Sequence, residues 1–475
     1  MGAAIETDIC VIGAGSGGLS VAAGAAQMGA RTVLIERGKM GGDCLNYGCV
    51  PSKAMLAAAH AAEAVRGAGV FGVNVGGPEV DGGRVREHVR GVIAAIAPND
   101  SVERFEGLGV RVLRAHARFV SPSEIDAEGQ RVRARRFVVA TGSSPATPPI
   151  DGLSDVPYLT NETIFDLAAV PEHLVIVGGG PIGVELAQAH RQLGARVTVL
   201  EASQILPKDD PELVDVVRRR LSRDGVEIRE GVKVAAVGTG AAGVSVTVTA
   251  EGGQESRVEG SHLLVATGRR VDVDGLGLEE AGIAWSAKGI EVDARLRTAN
   301  RKVYAIGDAA GGLKFTHVAG YHASIVLRNA LFRLPAKADT RTVPWVTYTA
   351  PQLAQVGLTE QQARDTRGEV RVLKSFYAEN DRAQAERETE GLVKVIATPG
   401  GHVLGAGIVG AAAGELIHTW VLAMSERIKV KAVAQMIAPY PTLGEINKRA
   451  AGSFYAPKLF SERTRKLVRF LAMFP

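Results

Sequence analysis

Cysteine is scarce in this chain: three residues in 475, at positions 10, 44 and 49. So few exclude a disulfide framework and fit a reducing compartment. No uninterrupted apolar run is long enough to span a bilayer. No basic segment leads into an apolar stretch at the start, so no signal peptide is expected and the expected location is the cytoplasm. Charge of one sign is also missing. The net charge is +4 over 475 residues, and no nucleic-acid-binding motif accompanies it, so no nucleic-acid partner is expected. Two arginine-rich patches, RVRARR at 131–136 and RRRLSRD at 218–224, read as solvated faces of a strand and a helix. What the chain has is glycine, 57 of them, and a length that implies two to four domains.

Several of the glycines fall in a pattern. Residues 8–18, DICVIGAGSGG, run from a short apolar strand into Gly13, Gly15 and Gly18. A small-residue helix follows, and then a second strand, RTVLIE, ends at Glu36. Strand, GxGxxG, helix, strand and acid in that order form a dinucleotide fingerprint. The glycines let the chain turn tightly and let backbone N–H groups approach a pyrophosphate. The helix N-terminus attracts its charge, and the acid can hold ribose hydroxyls. The unit recurs at LVIVGGGPIG, 174–183, with Gly178, Gly180 and Gly183, and its second strand ends at Glu201. Two such units imply two dinucleotides. Glu201 is followed by Ala202, Ser203 and Gln204. A carboxylate with no arginine behind it accepts from ribose hydroxyls and repels a 2′-phosphate, which predicts NADH rather than NADPH.

The remaining two cysteines lie in GGDCLNYGCVPSK, 41–53, immediately before a run of helix formers. A helix N-terminus carries partial positive charge, and Lys53 adds a full one. Both favour the thiolate, the form that does redox chemistry. Pro51 suits the first helical turn, where a missing N–H costs nothing. The segment reads as a redox-active dithiol at the start of a helix, whereas Cys10, inside an apolar strand, reads as inert.

This segment resembles that of the pyridine nucleotide–disulfide oxidoreductases, the flavoprotein family of dihydrolipoyl dehydrogenase, glutathione reductase and mercuric reductase. The resemblance extends from about residue 5 to residue 455. It includes the two fingerprints, FVVATGSSP at 137–145, LLVATGRR at 263–270, VYAIGDAAGG at 303–312 and KFTHVAGYHA at 314–323. It implies an α/β fold with two Rossmann-like dinucleotide-binding domains and an α+β C-terminal dimerisation domain. The expected division is an FAD-binding domain over 1–148 and 268–338, an NAD(H)-binding domain over 149–267 and a dimerisation domain over 339–475. By the same resemblance the first unit holds FAD and the second the nicotinamide nucleotide. Gly42, Thr141, Gly142, Gly268, Gly307, Asp308 and Ala319 join the fingerprint residues as cofactor-binding positions, with Asp308 on the ribityl chain. Electrons would pass from NADH through FAD to a Cys44–Cys49 disulfide. Cys49 would lie against the flavin and Cys44 would face the substrate. Lys53 would sit near the flavin's central ring, paired with Glu185. A homodimer is the implied state, and no metal-ligating set is assigned.

The departure from the family lies at APYPTLGE, 438–445. Disulfide reductases of the family carry a His–Glu pair there, and the histidine shuttles protons. Here Tyr440 stands in the histidine's place and Glu445 is retained. Tyrosine, with a pKa of about 10 against about 6.5 for histidine, is a poor base at neutral pH. It can still donate a hydrogen bond or ligate a soft-metal complex. Mercuric reductases also carry a tyrosine here, but their C-terminal cysteine pair is absent, since no cysteine follows Cys49. The expectation is therefore a mercuric-reductase-like flavoprotein whose small-molecule acceptor is a thiophilic metal ion such as Hg(II), a quinone or an unusual disulfide. A dihydrolipoyl dehydrogenase-type reductase and a flavin- and NADH-binding sensor with little turnover are the alternatives. The tail, KLFSERTRKLVRFLAMFP at 458–475, mixes basic and apolar residues. It could lie on a membrane surface as an amphipathic helix, which would suit a quinone; the simpler expectation is that it packs on the protein's own body.

Overall fold

A computed structural model describes residues 3–474. The chain forms two compact units. One is built from residues up to 202 and from 231–339, the other from 203–230 and from 340 onward.

In the first unit, strand Ile5–Ile12 is central to a parallel sheet, and Ile9, Cys10, Val11 and Ile12 are all buried. A strand covered on both faces has no solvent side on which to place polar residues. It pairs in parallel with Thr32–Ile35 and with Gln130–Val139. Thr32–Ile35 continues to Val110–Leu113, and Val303–Ala305 joins the end of Gln130–Val139. The start of Gln130–Val139 also closes an antiparallel meander with Glu124–Ala127 and Ala117–Ser121. Phe119 and Phe137 meet edge-on there, 5.3 Å between ring centres.

A second parallel sheet places His173–Val177 between Arg196–Leu200 and His262–Val265. An antiparallel meander, Val232–Gly240, Gly243–Ala250 and Glu255–Gly260, packs with it. A short ribbon, Ser143–Pro145 against Arg269–Val271, lies just beyond the two ATG segments. Both fingerprint loops therefore sit at the carboxyl ends of their strands, each opening a helix, Ser16–Gln27 or Pro181–Gln192. The two Rossmann-like motifs and the mixed C-terminal domain expected from the sequence are present.

The second unit carries a five-stranded antiparallel sheet in the order Pro344–Thr347, Gln352–Gly357, Val403–Gly410, Leu392–Ala397 and Arg371–Phe376. Helices bury Trp420 against it, and the Trp420 indole N–H donates to Asn447 Oδ1 at 2.8 Å. Lys394, mid-strand with a side chain only 6% exposed, is surrounded by Asp210, Glu212 and Glu360 at 2.9, 3.0 and 2.8 Å.

Two expectations need correction. The tail does form a helix, Glu462–Leu471, but none of its residues is buried. Leu467, Val468, Phe470 and Leu471 are each more than half exposed. Among the described residues the tail does not pack on the body of its own chain: its apolar stripe stays open to solvent, since burying it needs an apolar surface opposite it. The arginine patch at 131–136 is likewise not wholly solvated: Arg133 and Arg135 face out, whereas Arg136 is half-buried and lines a hollow. The second patch lies on helix Pro211–Asp224, where Arg218 is held by Glu230 at 3.0 Å.

Candidate active site

The glycines show what the two fingerprint loops are shaped to hold. Gly13 has φ 103°, and a Cβ there would lie 2.5 Å from the Ala140 carbonyl; a Cβ at Gly18 would lie 1.9 Å from the Gly13 carbonyl. A Cβ at Gly15 would meet nothing within 4 Å, so that face is open. Gly178, Gly183 and Gly180 repeat all three relations, at 2.5 Å from Ala266 O, at 1.9 Å from Gly178 O, and in open space. The acids close both loops. Glu36 accepts from the Ala14 N–H at 2.6 Å, and Glu201 from the Gly179 N–H at 2.6 Å. Thr141 has a buried hydroxyl with no partner among the described residues, beside Gly142 at φ 79°. An open glycine cradle with an unpaired donor at its rim fits a dinucleotide, and the first unit therefore fits FAD.

The cysteine segment is pinned to that first loop. Gly41, at φ 84°, donates its N–H to the Ala14 carbonyl at 2.9 Å. Gly42 comes so close to Gly15 that a Cβ would stand 2.7 Å from the Gly15 Cα. Cys44 lies in the short helix Gly42–Asn46, and Cys49 is the first residue of helix Cys49–Gly67. Pro51 falls in that helix's first turn, where no N–H is needed. Thr316, first residue of helix Thr316–Ala330, brings its hydroxyl to 3.3 Å from the Cys49 sulfur. Two helix N-termini thus meet at one sulfur, and each adds positive potential.

The two thiols are driven apart. A hydrogen bond from Cys44 is the main cause that lowers Cys49 to about 6, with Thr316 and the charge of Lys53 assisting and burial opposing. The same bond, with burial, raises Cys44. In the dithiol, Cys49 carries the negative charge and Cys44 keeps the proton. Cys10 is raised by burial alone, as expected of an inert core thiol.

Lys53 Nζ lies 2.8 Å from Glu185 Oε2, and the carboxylate side chain is 7% exposed. The pair joins the helix that carries Cys49 to the helix that opens at the second fingerprint. Asp308 is the second residue of a 3-10 turn, Gly307–Ala310, after strand Val303–Ala305, and the Ser143 hydroxyl donates to it. Burial raises the Asp308 carboxyl, opposed by Ser143 and Arg269. Gly307 has φ 59°, and a Cβ there would meet Ala319 at 3.1 Å. Gly268, at φ 146°, precedes Arg269.

Four residues around the cysteines escaped the sequence reading: Thr316, Arg269, Asp43 and Ser143. The Arg269 guanidinium reaches Asp43 at 3.0 Å and donates to Ser143 Oγ at 2.8 Å. It ties the cysteine segment to the first ATG segment. Each stands in or directly beside a motif already singled out, so adjacency to that motif was the available signal.

In the second unit, Tyr440 is 69% exposed and its hydroxyl donates to Asp381 Oδ2 at 3.0 Å. That bond raises the phenol, with the Glu445 charge adding to it. Glu445 begins helix Glu445–Gly452, and its Oε2 is buried without a partner among the described residues. Tyr440 is therefore turned to Asp381, not to Glu445, and it is no base at neutral pH.

Two dinucleotide cradles and a polarised dithiol between them define a flavoprotein disulfide oxidoreductase. Residues 7–323 match the family described as pyridine nucleotide-disulphide oxidoreductase, and residues 343–451 match its dimerisation domain. The chain belongs to this family, and the second match supports a homodimer. It is similar to mercuric reductase of Streptomyces lividans, 35% identical over 456 residues that cover 94% of this chain and 96% of the relative. It is similar to dihydrolipoyl dehydrogenase of Geobacillus stearothermophilus at 34% over 456 residues, with the same two coverages. Among solved structures it resembles the Cu(II) complex of the HOCl-induced flavoprotein disulfide reductase RclA from Escherichia coli. The TM-score is 0.83 at 27% identity, over 93% of this chain and 98% of that one. Among the described residues no helix is long and apolar enough to cross a membrane.

Proposed function

We propose that this protein is an NADH-dependent reductase that delivers an electron pair through Cys44 and Cys49 to a soft, thiol-seeking acceptor, with Hg(II) the foremost case. The observation that carries the reading is the polarised cysteine pair, with Cys49 lowered to about 6 while Cys44 is raised. FAD, when bound, supplies the hydride acceptor and the relay of the electron pair to the cysteines. Lys53, oriented by Glu185, fixes a positive charge one turn along the helix that Cys49 begins. Cys49 holds negative charge, and Cys44 presents the sulfur that takes the acceptor. With Hg(II) as substrate, NADH is oxidised to NAD⁺ and a proton while Hg(II) becomes Hg(0). Hg(II) displaces the Cys44 proton as it binds, and solvent takes the one proton that the sum releases, so the reaction calls for no histidine at position 440, which agrees with a tyrosine occupied by Asp381. Exchange with a dithiol such as dihydrolipoamide does need a base. Glu201, bound to the loop N–H at 2.6 Å, sets a negative charge where an NADPH 2′-phosphate would lie, which supports NADH. The uncovered basic tail helix supports a weak contact with an anionic membrane surface.

The test is an anaerobic titration with NADH followed by visible absorption, NADPH in parallel, and then turnover with Hg(II), quinones and disulfides. A long-wavelength charge-transfer band at two electrons is expected, reached at lower NADH than NADPH. Cys44→Ser should lose at least ~100-fold of Hg(II) turnover. Bleaching with no such band removes the cysteines from the electron path. Equal turnover in Cys44→Ser means the acceptor is reduced without thiols, and no turnover with any acceptor favours a sensor.

A further inference from the structure

The parallel sheet of the first unit has two ends, and only one is used by the dinucleotide cradles. At the other end, ahead of strand Val303–Ala305 and beyond the last turn of helix Thr316–Ala330, lies an open hollow of about 410 Å³. Its walls carry five arginines: Arg136, Arg295, Arg297, Arg301 and Arg333. A hollow of that size lies within the usual range for small-ligand sites, roughly 300–1,000 Å³.

The charge in it is not balanced by the protein. Among the described residues one carboxylate is bonded to any of the five. Asp293 takes Arg297 at 2.7 Å and Arg301 at 3.4 Å. Among the described residues Arg136 donates only to its neighbour's carbonyl, Arg135 O at 2.8 Å, and its Nε is buried without an acceptor. Among the described residues the side chains of Arg295 and Arg333 make no hydrogen bond or ion pair. They do not cap the helix carbonyls either, which removes the simplest structural account of cations beyond a helix C-terminus. Five guanidinium groups lining one hollow with a single carboxylate among them leave it a site of net positive charge, which an anion would offset.

The backbone holds these residues at some cost. Leu296, between Arg295 and Arg297, has φ 64°, and Arg333 itself has φ 57°. Neither is glycine, and such left-handed positions persist where the surroundings enforce them. The remaining wall is neutral, with Tyr304 and with Asn329, whose amide is already spent on the Ile325 and Ala336 carbonyls. The site therefore selects by charge and by the paired N–H fork of arginine, which matches phosphate oxygens two at a time.

We propose that this hollow binds a small polyphosphate, inorganic or carried by a nucleoside, at a site separate from both dinucleotide cradles. The test is calorimetric titration of inorganic tripolyphosphate into the FAD-loaded protein saturated with NAD⁺, so that both cradles are filled. One saturable site is expected, weakened at least tenfold in Arg295→Ala/Arg333→Ala. FAD content and NADH-dependent reduction of an artificial dye should be unchanged. Arg295→Lys keeps the charge but loses the fork, and should weaken binding less than the double variant. ATP in place of tripolyphosphate separates the sources: equal affinity assigns the site to the phosphate chain alone, and tighter ATP binding to a nucleoside polyphosphate. The absence of saturable heat, or the same affinity in the double variant, overturns the proposal. So does a single-stranded oligonucleotide that binds through these arginines and is not displaced by tripolyphosphate.

Discussion

A sulfur that is to act as a thiolate near neutral pH needs donors around it, and Cys49 has three: the Cys44 thiol, the Thr316 hydroxyl and the Lys53 charge. The Cys44 and Lys53 contributions are visible in the sequence, because they lie five and four residues away in one motif. Thr316 is not, since 267 residues separate it from Cys49. Its contribution is testable. A hydrogen bond to a charged group is worth about 1.5–3 kcal/mol, and each pKa unit corresponds to about 1.4 kcal/mol. With the sulfur partly open to solvent, Thr316→Val should raise the Cys49 midpoint by about one unit from about 6. Alkylation of the reduced protein with iodoacetamide between pH 5 and 9 measures it. At pH 6.5 the variant should react more slowly than the wild type, and above pH 8.5 the two should converge. Coincident profiles would show that Thr316 does not act on the thiolate. Tyr440 makes the complementary point. Its identity, read in sequence, excludes a histidine base, but only the structure shows its hydroxyl committed to Asp381.

Among the elements, the strands and helices that carry motifs were the readable ones. Strand, glycine loop and helix at 5–27 and 173–192 follow from apolar runs broken by glycine, because tight turns and close backbone approach leave few other residues to use. The tail helix Glu462–Leu471 was readable as a helix and misjudged in its packing. Whether an amphipathic face is covered depends on a partner surface that local pattern does not describe. Here Phe470 and Phe474 meet edge-on, at 5.3 Å between centres, and both are more than half exposed, beside Arg465, Lys466 and Arg469. The full chain should therefore pellet with vesicles of anionic lipid at low salt, and less so as salt screens the attraction. A chain without residues 458–475 should stay in the supernatant. Equal pelleting of the two would end the membrane reading.

At the scale of the whole molecule, the second unit rests on a charge cluster that no motif announced. Burial pulls the Lys394 amine down, but hydrogen bonds to Glu360, Asp210 and Glu212 outweigh it and raise it overall. Lys394 lowers Glu360 through a hydrogen bond, and it lowers Glu212 together with Lys374, there against burial. A raised lysine contributes stability below its unfolded pKa, about 10.4, and loses it as pH rises through the folded value. The lowered glutamates contribute above their unfolded pKa, about 4.3, and lose it as pH falls through their folded values. Lys394→Met leaves three carboxylates facing an apolar side chain. Because Glu212 and Glu360 are partly exposed, at 39% and 27%, a loss near the lower end of the buried range, about 3 kcal/mol, is expected at pH 7. Thermal melts from pH 3.5 to 7 should show the wild type losing stability toward acid more steeply than the variant. Parallel curves would mean that the cluster does not set the stability of this unit.

The sequence by itself determined the chemistry: two dinucleotide loops, one dithiol, its lysine and glutamate, and the lack of a histidine at position 440. Those features are local, or recur as ordered motifs, because turns, helix starts and thiol activation each demand particular residues at short spacing. Tertiary structure decided what lies between motifs. It brought Thr316 to Cys49, tied Arg269 to Asp43 and Ser143, buried Lys394 among carboxylates, and gathered Arg136 with four arginines more than 150 positions further on. Contacts of that kind are set by which strand neighbours which and by which helix ends meet. A one-dimensional pattern carries the propensity for each element, but not the packing that selects its neighbours.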